Sequence, residues 1–255
     1  MTGRAPSPAL ALARSPYASV VYVALAWLLL VPLFKIEPRY LPPLPVVIAD
    51  GFSVWPDLLA GFWRTLIETV LGFIAGVALG VAFGIGFASS RLMERAFLPI
   101  FVALQTVPVI AFGAIVVIWF GNTIMAKVVI ALYLAFFPVA VNTLRGLQRA
   151  DPQRIALMKS FGASHRQLFL QLALPTALPD ILIGMKLAVA LSLAGAIVGE
   201  WFGDTVGLGV MLLQALYFEQ IPRVWVLIIA CGLLGTLLYG ALAVIERRFV
   251  WWHAD

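Results

Sequence analysis

The chain has 255 residues, of which 63% are hydrophobic and 11% charged, and its formal net charge is +5. Soluble domains have about 45–50% apolar and about 25% charged residues, so this composition excludes a water-soluble globule and indicates a protein whose solvent is largely the lipid bilayer. The single cysteine, Cys231, excludes an intrachain disulfide. The basic residues lie in loops between apolar runs, which argues against nucleic-acid binding.

Six apolar runs are long enough to cross a bilayer, which takes about 20 residues. They are residues 17–34, 66–88, 97–120, 124–144, 181–199 and 224–245. The first run follows Arg4 and Arg14 and has no small-residue cleavage site, so we interpret it as a retained helix and not as a signal peptide. The expected fold class is an all-α, polytopic membrane protein with about six transmembrane helices.

Local signals lie between and within these runs. The proline-rich residues 38–45 predict an extended outer connector, and residues 55–64 predict a helical patch after it. Residues 206–218 predict a short helix on or in the membrane. Pro108 and Pro138 predict kinks or interruptions in the third and fourth runs.

The second run has a stripe of glycines. Gly72, Gly76, Gly80 and Gly84 are spaced by four residues, which puts them on one face of a helix. Small residues on one face let helix backbones approach closely. The spacing leaves open whether the stripe packs within one chain or between two subunits.

Lys and Arg are distributed unequally between the two sides of the membrane. With the N-terminus inside, the cytoplasmic side has eleven, which are Arg4, Arg14, Arg91, Arg95, Arg145, Arg149, Arg154, Lys159, Arg166, Arg247 and Arg248. The outer side has five, which are Lys35, Arg39, Arg64, Lys127 and Arg223. Because cytoplasmic loops are enriched in these residues, we expect both termini in the cytoplasm, as tails (1–16 and 251–255) of a single transmembrane domain (17–250).

The sequence has no signature of catalysis. His165 and His253 have no partners at metal-ligand spacing, and HExxH, nucleophile-elbow and cysteine-cluster motifs are absent. A Walker A sequence is absent as well. We expect no catalytic residue, no metal site and no cofactor in this chain, so any ATP-driven work requires a separate ATPase chain.

Polar residues inside the apolar runs are candidates for a translocation pathway. Arg64 and Glu68 are spaced for an i,i+4 ion pair, and Lys186 can extend to the interface. Glu200 opens the sequence EWFGDTVGLG and is either an interfacial carboxylate or part of an outer gate. The other candidates, which either line the pathway or serve in helix packing, are Gln105, Thr106, Pro108, Asn142 and Ser192.

The longest polar interruption is residues 145–180, named here the loop segment. It contains Asp151, Asp180 and five basic residues, Arg145, Arg149, Arg154, Lys159 and Arg166. Its pattern predicts a helix, a turn at Gly162, a second amphipathic helix and then Leu174 and Pro175. A compact, helical and basic loop favours a docking surface over a simple connector.

The loop segment carries a family resemblance. Gly162, nine further residues, and then Leu172, Leu174 and Pro175 resemble half of the cytoplasmic signature of binding-protein-dependent ABC importer permeases. The resemblance extends over about residues 20–250 through LPPLPVV, SRLMERAFLPI, WFG, FFPVAVNTLRGL and GEWFGDTVGLG. Together these motifs are similar to the nitrate/sulfonate/taurine group, which includes importers of thiamine-pyrimidine precursors and of riboflavin.

The resemblance implies a type I ABC importer permease fold in which the loop segment is the coupling helix that docks onto an ATPase subunit. The docking residues it implies are Ala156, Leu157, Met158, Lys159, Ser160, Phe161, Gly162, Ala163, Ser164, His165, Arg166, Gln167 and Phe169. The family signature begins Glu-Ala-Ala, whereas this chain has Ala156, Leu157 and Met158 there. The expected contact with the ATPase is therefore more apolar.

The resemblance also implies partners and a location. The partners are a second copy of this permease, two ATPase subunits that bind ATP and Mg, an external solute-binding protein and the lipid bilayer, with no nucleic acid. The implied location is the bacterial cytoplasmic (inner) membrane. An autonomous carrier or channel, which would need intramembrane charge, is the alternative, and a membrane-embedded enzyme would need paired catalytic groups.

The transported solute stays open at this level. Residues 55–59 (WPDLL) and 199–209 (GEWFGDTVGLG) favour a thiamine-pyrimidine precursor or riboflavin. Nitrate, taurine and alkanesulfonates remain alternatives, because no cationic cluster in the apolar runs argues for or against an anion.

Overall fold

The computed structural model describes residues 16–250, with side chains described for residues 21–248 and 250. All regular secondary structure in residues 16–250 is helical. The elements are α1 (Pro16–Leu33), α2 (Leu44–Ser53), α3 (Trp55–Ser89), α4 (Arg91–Gln105), α5 (Val109–Phe120), α6 (Ile124–Gln148), α7 (Pro152–Ser160), α8 (His165–Leu168), a π-helical turn (Phe169–Ala173), α9 (Leu174–Glu200), α10 (Leu208–Tyr217) and α11 (Ile221–Phe249). The all-α expectation is confirmed. The tails expected at 1–16 and 251–255 lie outside the described residues, except for residue 16.

Four continuous helical stretches in the described part are long and apolar enough to cross a membrane. They are Trp55–Ser89, Ile124–Gln148, His165–Glu200 and Ile221–Arg248, and they contain the second, fourth, fifth and sixth predicted runs. The 18-residue helix α1 coincides with the first run. Large apolar side chains on the outside, such as Leu237 at 62% exposure, fit contact with lipid. The chain is a multi-pass membrane protein.

The third predicted run is a broken span. Helices α4 and α5 meet at an angle of 99°, and Pro108, which has no N–H to donate, precedes the first residue of α5. The interruption expected at Pro108 is confirmed. Pro138, in contrast, lies within the uninterrupted helix α6, where the Asn142 side-chain amide donates to its carbonyl at 2.7 Å.

The proline-rich connector is shorter than expected. Helix α2 begins at Leu44, with Pro45 in its first turn, where a missing N–H leaves no hydrogen bond unmade. The prediction of an extended chain through residues 38–45 is therefore wrong at its end. Residues 55–64 are helical as predicted, but they form the start of the 35-residue helix α3. The short helix predicted at 206–218 corresponds to α10.

The glycine stripe of α3 packs within the chain. A Cβ atom added to Gly76 would lie 2.7 Å from Ala135 Cβ, and one added to Gly80 would lie 2.6 Å from the Phe136 carbonyl oxygen. Both distances are too short for a real side chain, so α3 and α6 are in backbone contact along this face. The structure thus decides in favour of packing within the bundle.

Helix α6 is also covered on another side, by α9. A Cβ atom on Gly195 would lie 2.7 Å from Ala131 Cα, and one on Gly184 would lie 2.9 Å from the Pro138 carbonyl oxygen. The higher-numbered glycine meets the lower-numbered residue, so α9 runs antiparallel to α6. Helix α6 is therefore the centre of an α3–α6–α9 core.

The parallel directions of α3 and α6 explain why a further crossing of the bundle lies between them. Gly76 of α3 faces Ala135, and Gly84 faces Thr143, so α3 and α6 run parallel. The chain must return across the bundle between two parallel helices, and α4 with α5 makes that crossing. We call the side where α3 and α6 end and the loop segment lies the loop side, and the opposite side the far side.

Candidate functional site

The tip of the loop segment is a tight helix–turn–helix unit. Asp151 caps α7, accepting a hydrogen bond from the Gln153 N–H at 2.9 Å. The chain then turns through Gly162, whose φ is +80°. Its N–H donates to the Lys159 carbonyl at 2.9 Å. A Cβ atom at residue 162 would meet nothing within 4 Å, so the left-handed backbone, and not crowding, is what favours glycine here.

The second half of the unit is capped and then joined to the membrane core. Ser164 and Gln167 form a reciprocal capping box, in which the Ser164 N–H donates to Gln167 Oε1 at 2.7 Å. The π-helical turn leads directly into α9. Phe169, one of the docking residues that the resemblance implies, is partly buried and packs against the chain's own cluster around Leu147 and Ile181.

The outer surface of this tip combines exposed apolar and basic side chains. The side chain of Phe161 is 83% exposed and that of Leu157 is 58% exposed. Of the thirteen docking candidates only Met158, Ala163 and Phe169 are partly buried, and the other ten are exposed. The sequence-based expectation therefore corresponds to a compact surface, apart from the inward Phe169.

The base of the loop segment is closed by an ion pair. The guanidinium of Arg149, at the end of α6, donates from Nη1 to Oδ1 and Oδ2 of Asp180 at 2.7 and 2.8 Å. Asp180 is 6% exposed and lies on α9. A Cβ atom at Gly146 would lie 2.9 Å from Asp180 Cβ, so α6 and α9 are in close contact there. The pair holds both ends of the loop segment on the helix core.

The polar residues that the sequence offers as candidates for a translocation pathway do not line one common surface. Thr106 and Pro108 are exposed at the α4–α5 break, and Gln105 Nε2 donates to the Tyr133 carbonyl at 3.4 Å. Asn142 bonds to its own helix, as described above. Ser192 is completely buried and donates to the Thr69 carbonyl at 2.8 Å, which joins α9 to α3.

Glu200 is completely buried at the far side, at the end of α9. Its Oε1 accepts a hydrogen bond from the Thr65 hydroxyl at 2.6 Å, and its Oε2 accepts one from the Gly209 N–H at 2.5 Å. The Thr65 oxygen in turn accepts the Leu208 N–H at 2.9 Å. Both oxygens of this carboxyl group are therefore used inside the chain.

Further charged groups lie beside Glu200. The predicted Arg64–Glu68 pair is confirmed at 2.7 Å, and Glu68 is completely buried. Lys127, also completely buried, lies 3.0 Å from Asp204. We define the far-side cluster as Arg64, Thr65, Glu68, Asn122, Lys127, Glu200 and Asp204.

Sequence reasoning missed most of this cluster. From the sequence alone, Lys127 counts only among the charges of the outer side and Asp204 only as part of EWFGDTVGLG, because nothing in linear order places residue 127 near residue 204. The available signal was a charged residue near the end of an apolar run, as such residues are usually paired or functional. The Lys186–Glu246 pair at 2.5 Å is a second example, on the loop side.

The described part of the chain is a multi-pass helical bundle of parallel and antiparallel helices, with a broken third span and a helical basic loop between α6 and α9. Residues 76–251 match the family described as binding-protein-dependent transport system inner membrane component, and the chain belongs to that family. It is a permease subunit of an ABC importer. The resemblance to the nitrate/sulfonate/taurine group is confirmed by the relatives that follow.

Three relatives show the range of that group. The formylaminopyrimidine transport permease protein ThiX of Halalkalibacterium halodurans is 36% identical over 63% of this chain and 64% of its own length, so the match spans just under two thirds of that protein. The riboflavin transport system permease protein RibX of Chloroflexus aurantiacus is 30% identical over 86% of this chain and 82% of its own. The putative aliphatic sulfonates transport permease protein SsuC of Escherichia coli is 31% identical over 94% and 92%.

Solved structures support the fold. Inward-facing conformations of the MetNI methionine ABC transporter include a chain that superposes with a TM-score of 0.68 at 19% identity, covering 77% of this chain and 98% of that one. An amino acid ABC transporter gives a TM-score of 0.64 at 18% identity, over 78% and 97%. The expected permease fold is confirmed.

Proposed function

We propose that the exposed tip of the loop segment docks onto a separate ATPase subunit and acts as the coupling helix. The observation that supports this most is Phe161, an aromatic side chain 83% exposed at the turn of a basic loop. Aromatic side chains, phenylalanine included, are enriched in the buried centres of protein–protein interfaces. Leu157 beside it supports an apolar contact in place of the family's glutamate.

The proposed assembly contains two copies of this chain, two ATPase subunits that bind ATP and Mg, and a solute-binding protein at the far side. It lies in the bacterial inner membrane, with the loop side and both termini in the cytoplasm. The family description and the excess of Lys and Arg in the predicted cytoplasmic loops support this orientation. ATP binding would draw the two loop segments together and rock the helix bundles between inward-open and outward-open states.

The solute that we propose is a thiamine-pyrimidine precursor or riboflavin. ThiX and RibX are named for related cargo, and ThiX has the higher identity of the three relatives described above. Alkanesulfonates and taurine are alternatives, because the relatives SsuC and TauC are named for them. Nitrate is a third alternative, because the same group of permeases includes nitrate importers. Uptake of labelled solutes by the reconstituted complex would separate these classes.

Docking is tested by truncating the exposed aromatic side chain. We expect Phe161→Ala to lower the affinity for the ATPase by roughly 30-fold, as for a hot spot of about 2 kcal/mol, with an unchanged melting temperature. The matched control is Phe218→Ala, because Phe218 is 73% exposed at the far side. Affinity would be measured by copurification and native mass spectrometry of the tagged chain. Equal ATPase recovery from both variants would contradict docking through this residue.

An autonomous carrier is the alternative that the far-side cluster could favour, since carriers keep ionisable groups inside the bundle. In this structure, however, Arg64 lies against Glu68 and Lys127 against Asp204. Each of these charges has an ion-pair partner within the chain, so the far-side cluster does not require an ion-coupled carrier. Uptake that persists in cells without any ATPase partner would support a carrier and overturn the proposed function.

A further inference from the structure

The segment 201–209 at the far side has an unusual connection to the rest of the chain. Helix α10 begins after Gly207, which has no side chain with which to cap the helix. The first N–H groups of a helix have no partners within it and are normally satisfied by a neighbouring Ser, Thr, Asp or Asn. Here the partners come from other helices.

Two buried side chains satisfy the start of α10. The Leu208 N–H donates to the Thr65 hydroxyl oxygen at 2.9 Å, and the Gly209 N–H donates to Glu200 Oε2. Thr65 is on α3, and Glu200 is the last residue of α9. Both side chains are completely buried.

The two glycines around Leu208 make room for this arrangement. A Cβ atom on Gly209 would lie 2.7 Å from Glu200 Oε2, and one on Gly207 would lie 2.5 Å from the same oxygen. The sequence Gly207-Leu208-Gly209 is therefore a backbone receptor for the Glu200 carboxyl group. This gives a physical reason for the spacing of glutamate and glycines in EWFGDTVGLG.

The same segment is anchored a second time, at its middle. Asp204 lies 3.0 Å from Lys127 Nζ. The Asn122 side-chain amide donates a hydrogen bond to the Gly203 carbonyl oxygen and accepts one from Lys127 Nζ. These contacts tie residues 203–204 to the start of α6, whereas Glu200 and Thr65 tie residues 208–209 to α3 and α9.

The anchored segment forms one wall of a far-side cavity. The cavity has a volume of about 360 Å³, and Thr205, Val206 and Gly207 line it together with Asp57, Gln214 and Arg223. A buried carboxyl group cannot give up its partners without exposure to water or a large energetic cost. The contacts of Glu200, Thr65 and Lys127 therefore join both ends of the wall to the α3–α6–α9 core.

We propose that Thr65 and Glu200 are positioning residues for transport: they hold the wall of the far-side cavity on the core, so that it moves with the core when the bundle changes conformation. This inference rests on the proposed function in so far as the far side is where solute arrives from the binding protein. Glu200 then acts through the backbone of residues 207–209 and does not touch the solute.

The direct test is amide hydrogen exchange of the purified full-length chain, which requires neither ATPase nor solute. We expect Thr65→Val to speed exchange in residues 201–210 on the order of tenfold, the equivalent of about one buried hydrogen bond, while α6 stays protected. Thr65→Ser, which keeps the hydroxyl group, should restore protection. Ser192→Ala is the matched control, because it removes another buried α9–α3 hydrogen bond without a contact to residues 201–209.

A second measurement distinguishes an effect on the position of residues 201–209 from an effect on the stability of the whole chain. In reconstituted transport, Thr65→Val should raise the concentration of loaded binding protein needed for half-maximal uptake severalfold, and Thr65→Ser should reverse this. If Thr65→Val does not fold, Asn122→Ala, at an exposed position, should speed exchange in residues 201–205 instead. Unchanged exchange in 201–210 in every folded variant would overturn the inference. ATPase copurification would remain normal in that case, so the proposed function is tested separately.

Discussion

Gly162 and Phe161 are neighbours at the tip of the loop segment, but different physical requirements select them. Gly162 has a φ of +80°, where residues with a Cβ atom are disfavoured by roughly 1–2 kcal/mol. Phe161 has an ordinary negative φ and leaves its ring in solvent. One residue shapes the turn, and the other presents a surface.

We predict that Gly162→Val weakens uptake strongly, because a β-branched residue strains the turn by roughly 1–2 kcal/mol or displaces it. Gly162→Asn is the control, since asparagine adopts the left-handed conformation more readily. It should keep most of the activity. The measurement is solute uptake together with the amount of chain in the membrane. Equal activity of the valine and asparagine variants would show that the turn geometry is not required.

At the scale of elements, the proposed coupling action of the loop segment requires that its two ends stay fixed on the core. The Arg149–Asp180 pair joins the end of α6 to α9 just where the loop segment leaves and re-enters. Asp180 is nearly buried, whereas the side chain of Arg149 is 67% exposed. Solvent therefore screens the pair from one side, and its contribution to stability is modest.

We predict that Arg149→Ala destabilises the chain by about 1 kcal/mol and reduces the solute transported per ATP hydrolysed. The reason is that Asp180 would lose its partner and the base of the loop segment would loosen. Arg154→Ala is the control: its pair with Asp151 is 3.6 Å long and mostly exposed, so we expect no change. Thermal unfolding in detergent and the ratio of uptake to ATP hydrolysis are the measurements. An unchanged ratio for Arg149→Ala would rule out the brace.

At the scale of the whole molecule, the bundle has two chemically different ends. The loop side has the exposed basic loop segment. The far side has the buried far-side cluster and a partly buried ion pair between Arg223 and Asp50, 2.6 Å apart. The helix directions alone distinguish these two ends, and the charge distribution supports the proposal that the loop side faces the cytoplasm.

We predict the orientation by thiol labelling in a Cys231→Ser background, which removes the only cysteine. Phe218→Cys, at the far side, should react with a membrane-impermeant reagent in spheroplasts. Lys159→Cys, in the loop segment, should react only after the membrane is opened. The opposite pattern would reverse the proposed topology.

Several features could be predicted from the sequence because they depend on local chemistry. The helical loop follows from its apolar periodicity and the capping residues Asp151 and Ser164. The break before α5 follows from Pro108, whose ring and missing N–H interrupt a helix wherever it sits in an apolar run. The Arg64–Glu68 pair follows from its four-residue spacing. Such features need no knowledge of the neighbouring helices.

Other features depended on contacts between distant residues. The glycine stripe of α3 was visible in the sequence, yet only the packed structure shows that Ala135 and Phe136 of α6 fill it. Lys127 and Asp204 are apart in sequence and become partners only because α6 begins where α9 ends. The contact of the partly buried Phe169 with the cluster around Leu147 and Ile181 likewise appears only in the packed structure.

The amino-acid sequence by itself determined that this chain is an all-helical membrane permease with a basic, helical loop, because hydropathy, proline and capping signals act within a few residues. Tertiary structure alone decided what the buried polar groups do. Thr65, Glu200 and Gly209 meet from three helices, and a buried hydrogen bond requires its partners within about 3 Å. No one-dimensional pattern specifies that distance, since it is set by how α3, α9 and α10 pack.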